Sequence, residues 1–511
     1  MSEDSPQPNL PSLDLEPGFS LHFWVLALLT GAGAGVAGGL LMKLLHLVQH
    51  VSWSYAAGEF VDAVHHASNE RRVAILAAAG LLVAAASRLL SPRGKGHGGE
   101  IAAAIWFRAG RLPPLATTAR AIVSIAIVGM GASLGREAAP KQAGGLVADM
   151  LADWTALPDG QRRLLVACGA GAGIAAVYNV PFGGALFALE VLLGTLSLPL
   201  VAPALATSVV ATVVSQLFLP DQPTYAVPAL GITPGQLLWA LLFGPVAGLI
   251  SVGWIRLISR ADAHKPKGWL LLISPIIVLS LLGIAAIGFP ELLGNGKDLV
   301  QELFLAKTGL PLLAILLVLR PLATAACLGG GAPGGLFTPT MTIGALLGGT
   351  LGDAWKYIWP GGTPGTYAFV GAGAVLAGAM QAPVSAVVLL LELTRRLDSS
   401  LLAVILAVFG AAITTRLLEP RSVYSARIHA GRALAKQKEA GGVVSSATRY
   451  AELLHRLLKR GDETTPLLVM DESGKVVGCV SRRKVISPSR SAAPLETATA
   501  ADFLKRREDE T

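Results

Sequence analysis

From Leu21 to Leu418 the chain is a dense series of apolar segments separated only by short polar or Gly/Pro breaks. A segment of roughly 20 apolar residues is long enough to cross a bilayer. In such surroundings no water satisfies the backbone, so these segments must fold as helices that bond their own N–H and C=O groups. Composition agrees, with 53% hydrophobic and only 14% charged residues, where soluble domains carry about 25% charged. The 58 glycines and 31 prolines lie largely within the apolar segments, as expected where helices pack closely or are interrupted inside the membrane.

Three regions follow. Residues 1–19 form a Pro-, Ser- and acid-rich tail, residues 20–429 a membrane body, and residues 430–511 a soluble tail with 15 basic and 11 acidic residues. The net charge of +8 reads as membrane-flanking charge, with no basic and aromatic alternation that would suit nucleic acid. Arg416, Arg421, Arg427 and Arg432 cluster at or beyond the last apolar segment, which places the C-terminus in the cytoplasm by the positive-inside tendency. The first 19 residues hold no Lys or Arg, so charge leaves the side of the N-terminus open. No basic n-region precedes the first apolar run, and no signal peptide is expected. Cys168, Cys327 and Cys479 are far apart, without metal-ligand or disulfide spacing.

An internal repeat organises the body. Gly169 to Glu190 (GAGAGIAAVYNVPFGGALFALE) aligns without a gap on Gly371 to Glu392 (GAGAVLAGAMQAPVSAVVLLLE), with eight of 22 positions identical, including Pro181/Pro383 and Glu190/Glu392. Upstream, GREAAP (135–140) in the first half corresponds to GGLFTP (334–339) in the second. The halves run approximately over 20–220 and 228–429. Paired Gly/Pro-interrupted apolar segments in two halves point to a transporter whose site lies between the repeats.

Such breaks suit an anion. The first N–H groups of a broken helix are unpaired and carry partial positive charge, which makes an anion site without a cationic side chain. Partial charge also lets the anion leave. Gly135, Gly334 and Gly335 permit close backbone approach at these breaks. Ionisable residues within the body are scarce and are functional candidates by default. Arg136, Glu137 and Lys141 share one break, whereas Glu190, Arg320 and Glu392 lie in apolar runs. Glu190 and Glu392 occupy equivalent positions, which favours a shared structural role, such as bonding to backbone, over transport. Arg320 reads as an interfacial or structural charge.

Four motifs in order carry a family resemblance: GREAAPKQAGG (135–145), NVPFGGALFALE (179–190), GGLFTP (334–339) and SVYSA (422–426). Residues 20–429 thereby resemble the CLC chloride channels and chloride/proton antiporters, and the segment ALEVLLGTLSLP is similar to the bacterial ClcB-like branch. The resemblance implies an all-α integral membrane protein, a CLC-type inverted-repeat bundle of many tilted and broken helices. It implies a homodimer in a bacterial inner membrane with one pore per subunit. Glu137 would be the gate, its carboxylate competing with the anion and leaving on protonation, and so also the proton relay. The anion-binding set would be Gly135, Arg136, Glu137 and Ala138 from one break, Leu336 and Phe337 from the other, and the Tyr424 hydroxyl, with chloride as bound substrate and no cofactor.

Departures from the family pattern matter too. The early serine-bearing break corresponds best to Gly96–Glu100, which has no serine; His97 either substitutes a ring N–H in the anion site or is merely solvated. Ala138 and Ala139 stand where Gly-Pro is usual. Lys141, at i+4 from Glu137, either pairs with it or faces the vestibule and attracts anions. After Glu190, where many antiporters of the family place a proton-passing glutamate, this chain has Val191. That residue cannot relay a proton and tilts the expectation toward a voltage- and proton-gated chloride channel, with a proton-coupled chloride antiporter as the alternative. A membrane enzyme is not expected, since no nucleophile, base or metal cluster accompanies Glu137. In the tail, Thr465 to Ile486 reads as strand, turn, strand and helix start after a helix at Tyr450 to Lys459, resembling the second half of a CBS motif. With one clear copy, this small α/β cytoplasmic module suits a dimer-contacting or regulatory role better than adenine nucleotide binding, and a nucleotide-sensing membrane-anchored regulator is the weakest reading.

Overall fold

The computed structural model describes residues 19–55, 60–90, 101–228, 231–266 and 268–427, with three strands beyond them. The first half holds α1 (Leu21–Trp53), α2 (Phe60–His66), α3 (Asn69–Leu90), α4 (Ile101–Phe107), α5 (Pro114–Gly129), α6 (Ala138–Trp154), α7 (Asp159–Tyr178), α8 (Pro181–Leu186, continued by a π-helical stretch Phe187–Leu193) and α9 (Leu198–Ser215). The second holds α10 (Pro234–Ala263), α11 (Leu270–Gly288), α12 (Lys297–Phe304), α13 (Leu310–Gly329), α14 (Phe337–Trp355), α15 (Pro364–Met380), α16 (Pro383–Thr394) and α17 (Ser400–Leu418). A helical turn at residues 423–427, α18, follows. Among the described residues, seven helices (α1, α3, α9, α10, α11, α13 and α17) are long and apolar enough to cross a membrane. The rest are shorter or less apolar, and several begin at a proline that needs no N–H partner in the first turn.

Local chemistry ends the helices at matching places in the two halves. Asn179 and Gln381, 202 residues apart, both cap their helices with left-handed φ of 57° and 55°. Gly131 and Gly331 take φ of 104° and 97° in the turns after α5 and α13, a region open to glycine without strain.

Contacts between the halves are reciprocal. Gly135 N donates to Gly335 O and Gly335 N donates to Gly135 O, both at 2.9 Å. The Glu190 carboxylate accepts from Val384 N (3.3 Å) and Ser385 N (2.6 Å) at the start of α16. Its repeat equivalent Glu392 accepts from Phe182 N (3.0 Å) and Gly183 N (2.6 Å) at the start of α8. When residue i meets j and j meets i, the halves are related by a two-fold rotation. Each carboxylate thus caps the other half's helix, and a charge-assisted bond of this kind contributes about 1.5–3 kcal/mol. This is the backbone-bonding role that the paired positions suggest for Glu190 and Glu392. Arg320 is structural rather than interfacial: it is fully buried and donates to the carbonyls of Glu291 (2.9 Å), Leu293 (3.4 Å) and Gly294 (2.7 Å).

The repeated GAGA run has a packing explanation. Gly169 of α7 lies against Gly144 of α6, and Gly371 of α15 against Gly344 of α14, so closely that a Cβ on any of the four would collide with the facing backbone carbonyl. Small residues at helix crossings allow the van der Waals contact that drives association where no hydrophobic force operates.

Beyond the membrane body, His429–Thr511 forms a separate compact unit. Its three described strands, β1 (Val443–Ser445), β2 (Leu467–Met470) and β3 (Val476–Val480), make one sheet in which β1 pairs parallel to β2 and β2 antiparallel to β3. β2 and β3 fall within the segment Thr465 to Ile486, expected to hold two strands, and the turn expected between them lies outside the described residues. The helix expected at Tyr450 to Lys459, like most of residues 1–19, lies outside the described residues.

The packing yields a contrast between two glycines. Gly344→Ala is expected to lower stability by about 1–3 kcal/mol through overpacking. Gly253→Ala, on α10 with open space around it, is expected to be neutral or slightly stabilising through helix propensity. Thermal unfolding midpoints of the two variants in the same detergent check this; equal midpoints would remove close packing as the reason for the Gly344 glycine.

Candidate functional site

The two breaks meet at the Gly135–Gly335 pairing. From it α6 departs at Ala138 and α14 at Phe337, with Glu137 and Leu336 as their N-cap residues. Both helices therefore direct their N-terminal ends, with their partial positive charge, at the join. Thr340 holds the start of α14 by donating from Oγ1 to Leu336 O (2.6 Å), and Trp254 Nε1 donates to Thr340 Oγ1 (2.9 Å).

Glu137 fills this place with its own charge. Its side chain is 1% exposed, and Oε1 accepts from Phe337 N at 2.6 Å. A Cβ on either Gly135 or Gly335 would overlap the carboxylate. Two bare glycines thus form the floor on which it rests. Tyr178 OH approaches Oε2 at 3.5 Å and lies 2.9 Å from Thr338 Oγ1. The Tyr178 ring packs against Phe337, with centroids 5.6 Å apart. On its face sits the Arg136 guanidinium, 4.7 Å from the centroid.

A second cluster lies one turn along α6. Lys141 N donates to Glu137 O (3.2 Å), and its ammonium stands over the rings of Tyr424 (4.8 Å) and Phe187 (5.8 Å). Those rings meet edge to face at 5.9 Å. Tyr424 is buried on α18, and Val191 is buried on the π-helical stretch beyond Phe187.

Of the candidate residues, the structure brings Gly135, Arg136, Glu137, Ala138, Leu336 and Phe337 to one join, with Tyr424 in the neighbouring aromatic cluster. His97, with the whole 96–100 break, lies outside the described residues. Tyr178, Thr338 and Phe187 were not singled out in the sequence. A signal for them was present: Thr338 is part of GGLFTP, and Tyr178 and Phe187 are aromatic residues inside the aligned repeat segment. A separate open cavity of about 370 Å³ is lined by Asn179, Thr212, Asp221, Glu392 and Arg395 among others. Glu137 does not line it. The N-terminal end of α14 is instead occupied by the Glu137 carboxylate.

A family model described as the voltage gated chloride channel matches residues 75–416, well over half of the chain. The chain belongs to the CLC family. This CLC protein is 33% identical over 332 residues to a Ralstonia nicotianae protein named as ClcB-like among chloride channels, covering 63% of the chain and 75% of the relative. It is 30% identical over 318 residues to the H⁺/Cl⁻ exchange transporter ClcA of Vibrio parahaemolyticus, covering 59% of the chain and 67% of the relative. Its fold matches that of a slow cyanobacterial Cl⁻/H⁺ antiporter with TM-score 0.72 at 20% identity, over 82% of this chain and 100% of the other. A CLC-type fluoride/proton antiporter matches with TM-score 0.66 at 19% identity, over 79% and 97%. The CLC membership makes this a multi-pass membrane protein of chloride transport.

The floor beneath the carboxylate leads to a prediction. Gly335→Ala places a methyl group where the Glu137 carboxylate rests, so the carboxylate should be displaced from the N-terminal end of α14. Chloride efflux from proteoliposomes at neutral pH is expected to rise several-fold, and its dependence on pH to flatten. Efflux that follows the unsubstituted protein at neutral and acid pH would show that the carboxylate does not need that floor.

Proposed function

We propose that this CLC protein is a proton-coupled chloride exchanger in which Glu137 is both the gate and the proton carrier. The observation that carries this reading is the carboxylate bound at the N-terminal end of α14, with Oε1 on Phe337 N. An anion site filled by a tethered anion is open to a mobile one only when the tether leaves. Chloride and carboxylate are thus rivals for the same N–H groups. Protonation removes the carboxylate's charge and with it most of its preference for the helix end. The neutral side chain swings away carrying a proton, and chloride takes its place. Release of that proton to water on the opposite side from its uptake recharges the carboxylate, whose return to the helix end displaces the anion, so each gate cycle moves a proton one way and chloride the other.

The relatives named as H⁺/Cl⁻ exchange transporters support this reading. The first expectation from the sequence, a gated channel, is the second reading, and Val191 is the observation in its favour: beside Glu190 there is no carboxyl to hand a proton onward. In an exchanger, water reaching Glu137 from the cytoplasmic side would have to serve instead. The halves' two-fold relation fits an axis in the membrane plane, as in inverted-repeat transporters. A homodimer with one pore per subunit and a CBS-like regulatory role for the tail belong to the same proposal.

The test is a flux measurement in liposomes under a chloride gradient, with chloride and proton movement recorded together. Uphill proton movement driven by chloride is expected. Glu137→Gln, which mimics the neutral gate, is expected to retain chloride flux, lose proton movement and lose pH dependence. Chloride flux with no proton movement in the unsubstituted protein would favour the channel.

A further inference from the structure

We infer that the Tyr178 hydroxyl, backed by that of Thr338, is a ligand of the transported anion and favours chloride over the gate carboxylate beside Phe337 N. The inference deepens the proposed transport function and rests on it.

Tyr178 is the last residue of α7, and its surroundings hold it at the join. Asn179 ends the helix in the left-handed region, and Thr224 Oγ1 donates to the Tyr178 carbonyl at 3.1 Å. The ring is confined by Phe337, the first residue of α14, with centroids 5.6 Å apart, and by the Arg136 guanidinium on its face. Tyr178 is 2% exposed and Thr338 fully buried. Two hydroxyls 2.9 Å apart carry two protons, and the bond between them uses one. With Thr338 as donor, the Tyr178 O–H is left for Glu137 Oε2, and the pair becomes a short chain that ends on the anion.

The distance decides what that hydroxyl suits. An O–H···O bond closes to about 2.5–3.0 Å, and Phe337 N reaches the other carboxylate oxygen at 2.6 Å. Tyr178 stops at 3.5 Å from Oε2, so the carboxylate draws little from it. Chloride is a larger atom than oxygen and forms longer hydrogen bonds. Seated on Phe337 N in the carboxylate's place, it meets the Tyr178 hydroxyl without movement of the ring. The mobile anion thereby gains a donor that the tethered one barely uses, which helps chloride hold the position once Glu137 has left.

The test uses Glu137→Ala, which vacates the position and removes any effect exerted through the gate. Chloride binding to the purified full chain is measured by titration calorimetry with and without Tyr178→Phe, a change that removes only the hydroxyl. Tyr178→Phe is expected to weaken chloride affinity about tenfold, the scale of one hydrogen bond to a charged group. Equal affinities would overturn the inference.

A bromide-soaked crystal of Glu137→Ala, in which Tyr178 is intact, separates a ligand from a merely structural ring. An anomalous peak in contact with both Phe337 N and the Tyr178 hydroxyl is expected. A peak on Phe337 N beyond reach of that hydroxyl overturns the inference and leaves the proposed function standing. Bromide bound elsewhere, with none at the start of α14, overturns both.

Discussion

Two backbone hydrogen bonds between Gly135 and Gly335 hold the rest of the site in place. They join the two breaks directly, main chain to main chain, with no side chain between them. Because both partners are glycine, the helices that leave the join can aim their unpaired N–H groups into a common space. The Glu137 carboxylate lies in that space. Any side chain at either glycine would occupy it, so the same absence of Cβ atoms that permits the pairing also makes room for the carboxylate. Polar backbone concentrated in hydrocarbon surroundings is tolerated only when something fills it, and in this state Glu137 does.

Much of this was legible in the sequence for physical reasons. Apolar runs of spanning length announce helices, because hydrocarbon leaves the backbone no other partner. Glu137 stood out because charge in such runs is rare and because it adjoins a glycine break. The equivalence of Glu190 and Glu392 was readable as a repeat. Its meaning, that each carboxylate serves the opposite half, was not, since a linear alignment carries no information about which copy faces which. Tyr178 and Thr338 escaped for a related reason. Their hydroxyls matter through a partner 160 residues away, a distance that no local pattern spans.

Lys141 shows the limit from the other side. Its spacing from Glu137 satisfied the i, i+4 rule for a helical ion pair, and it equally allowed a vestibule charge. Its ring contacts come from Phe187 on the π-helical stretch and Tyr424 on α18, residues 46 and 283 positions further along the chain. Helical periodicity defines which neighbours a side chain has on its own helix. It is silent about the surfaces that other helices bring to it, and in a close-packed membrane bundle those surfaces supply most of a side chain's surroundings.

The crossed caps of Glu190 and Glu392 have a consequence for how the chain is made. The first half emerges from synthesis with the initial N–H groups of α8 unmet and with Glu190 lacking its partner on α16. Neither deficit can be repaired within that half, because the groups that answer them lie some 200 residues downstream. A half-finished molecule must therefore carry a charge and bare peptide groups in or near the bilayer until its counterpart arrives. Completion of the second half discharges both debts at once, which makes assembly of the two repeats a single cooperative event rather than the docking of two finished pieces.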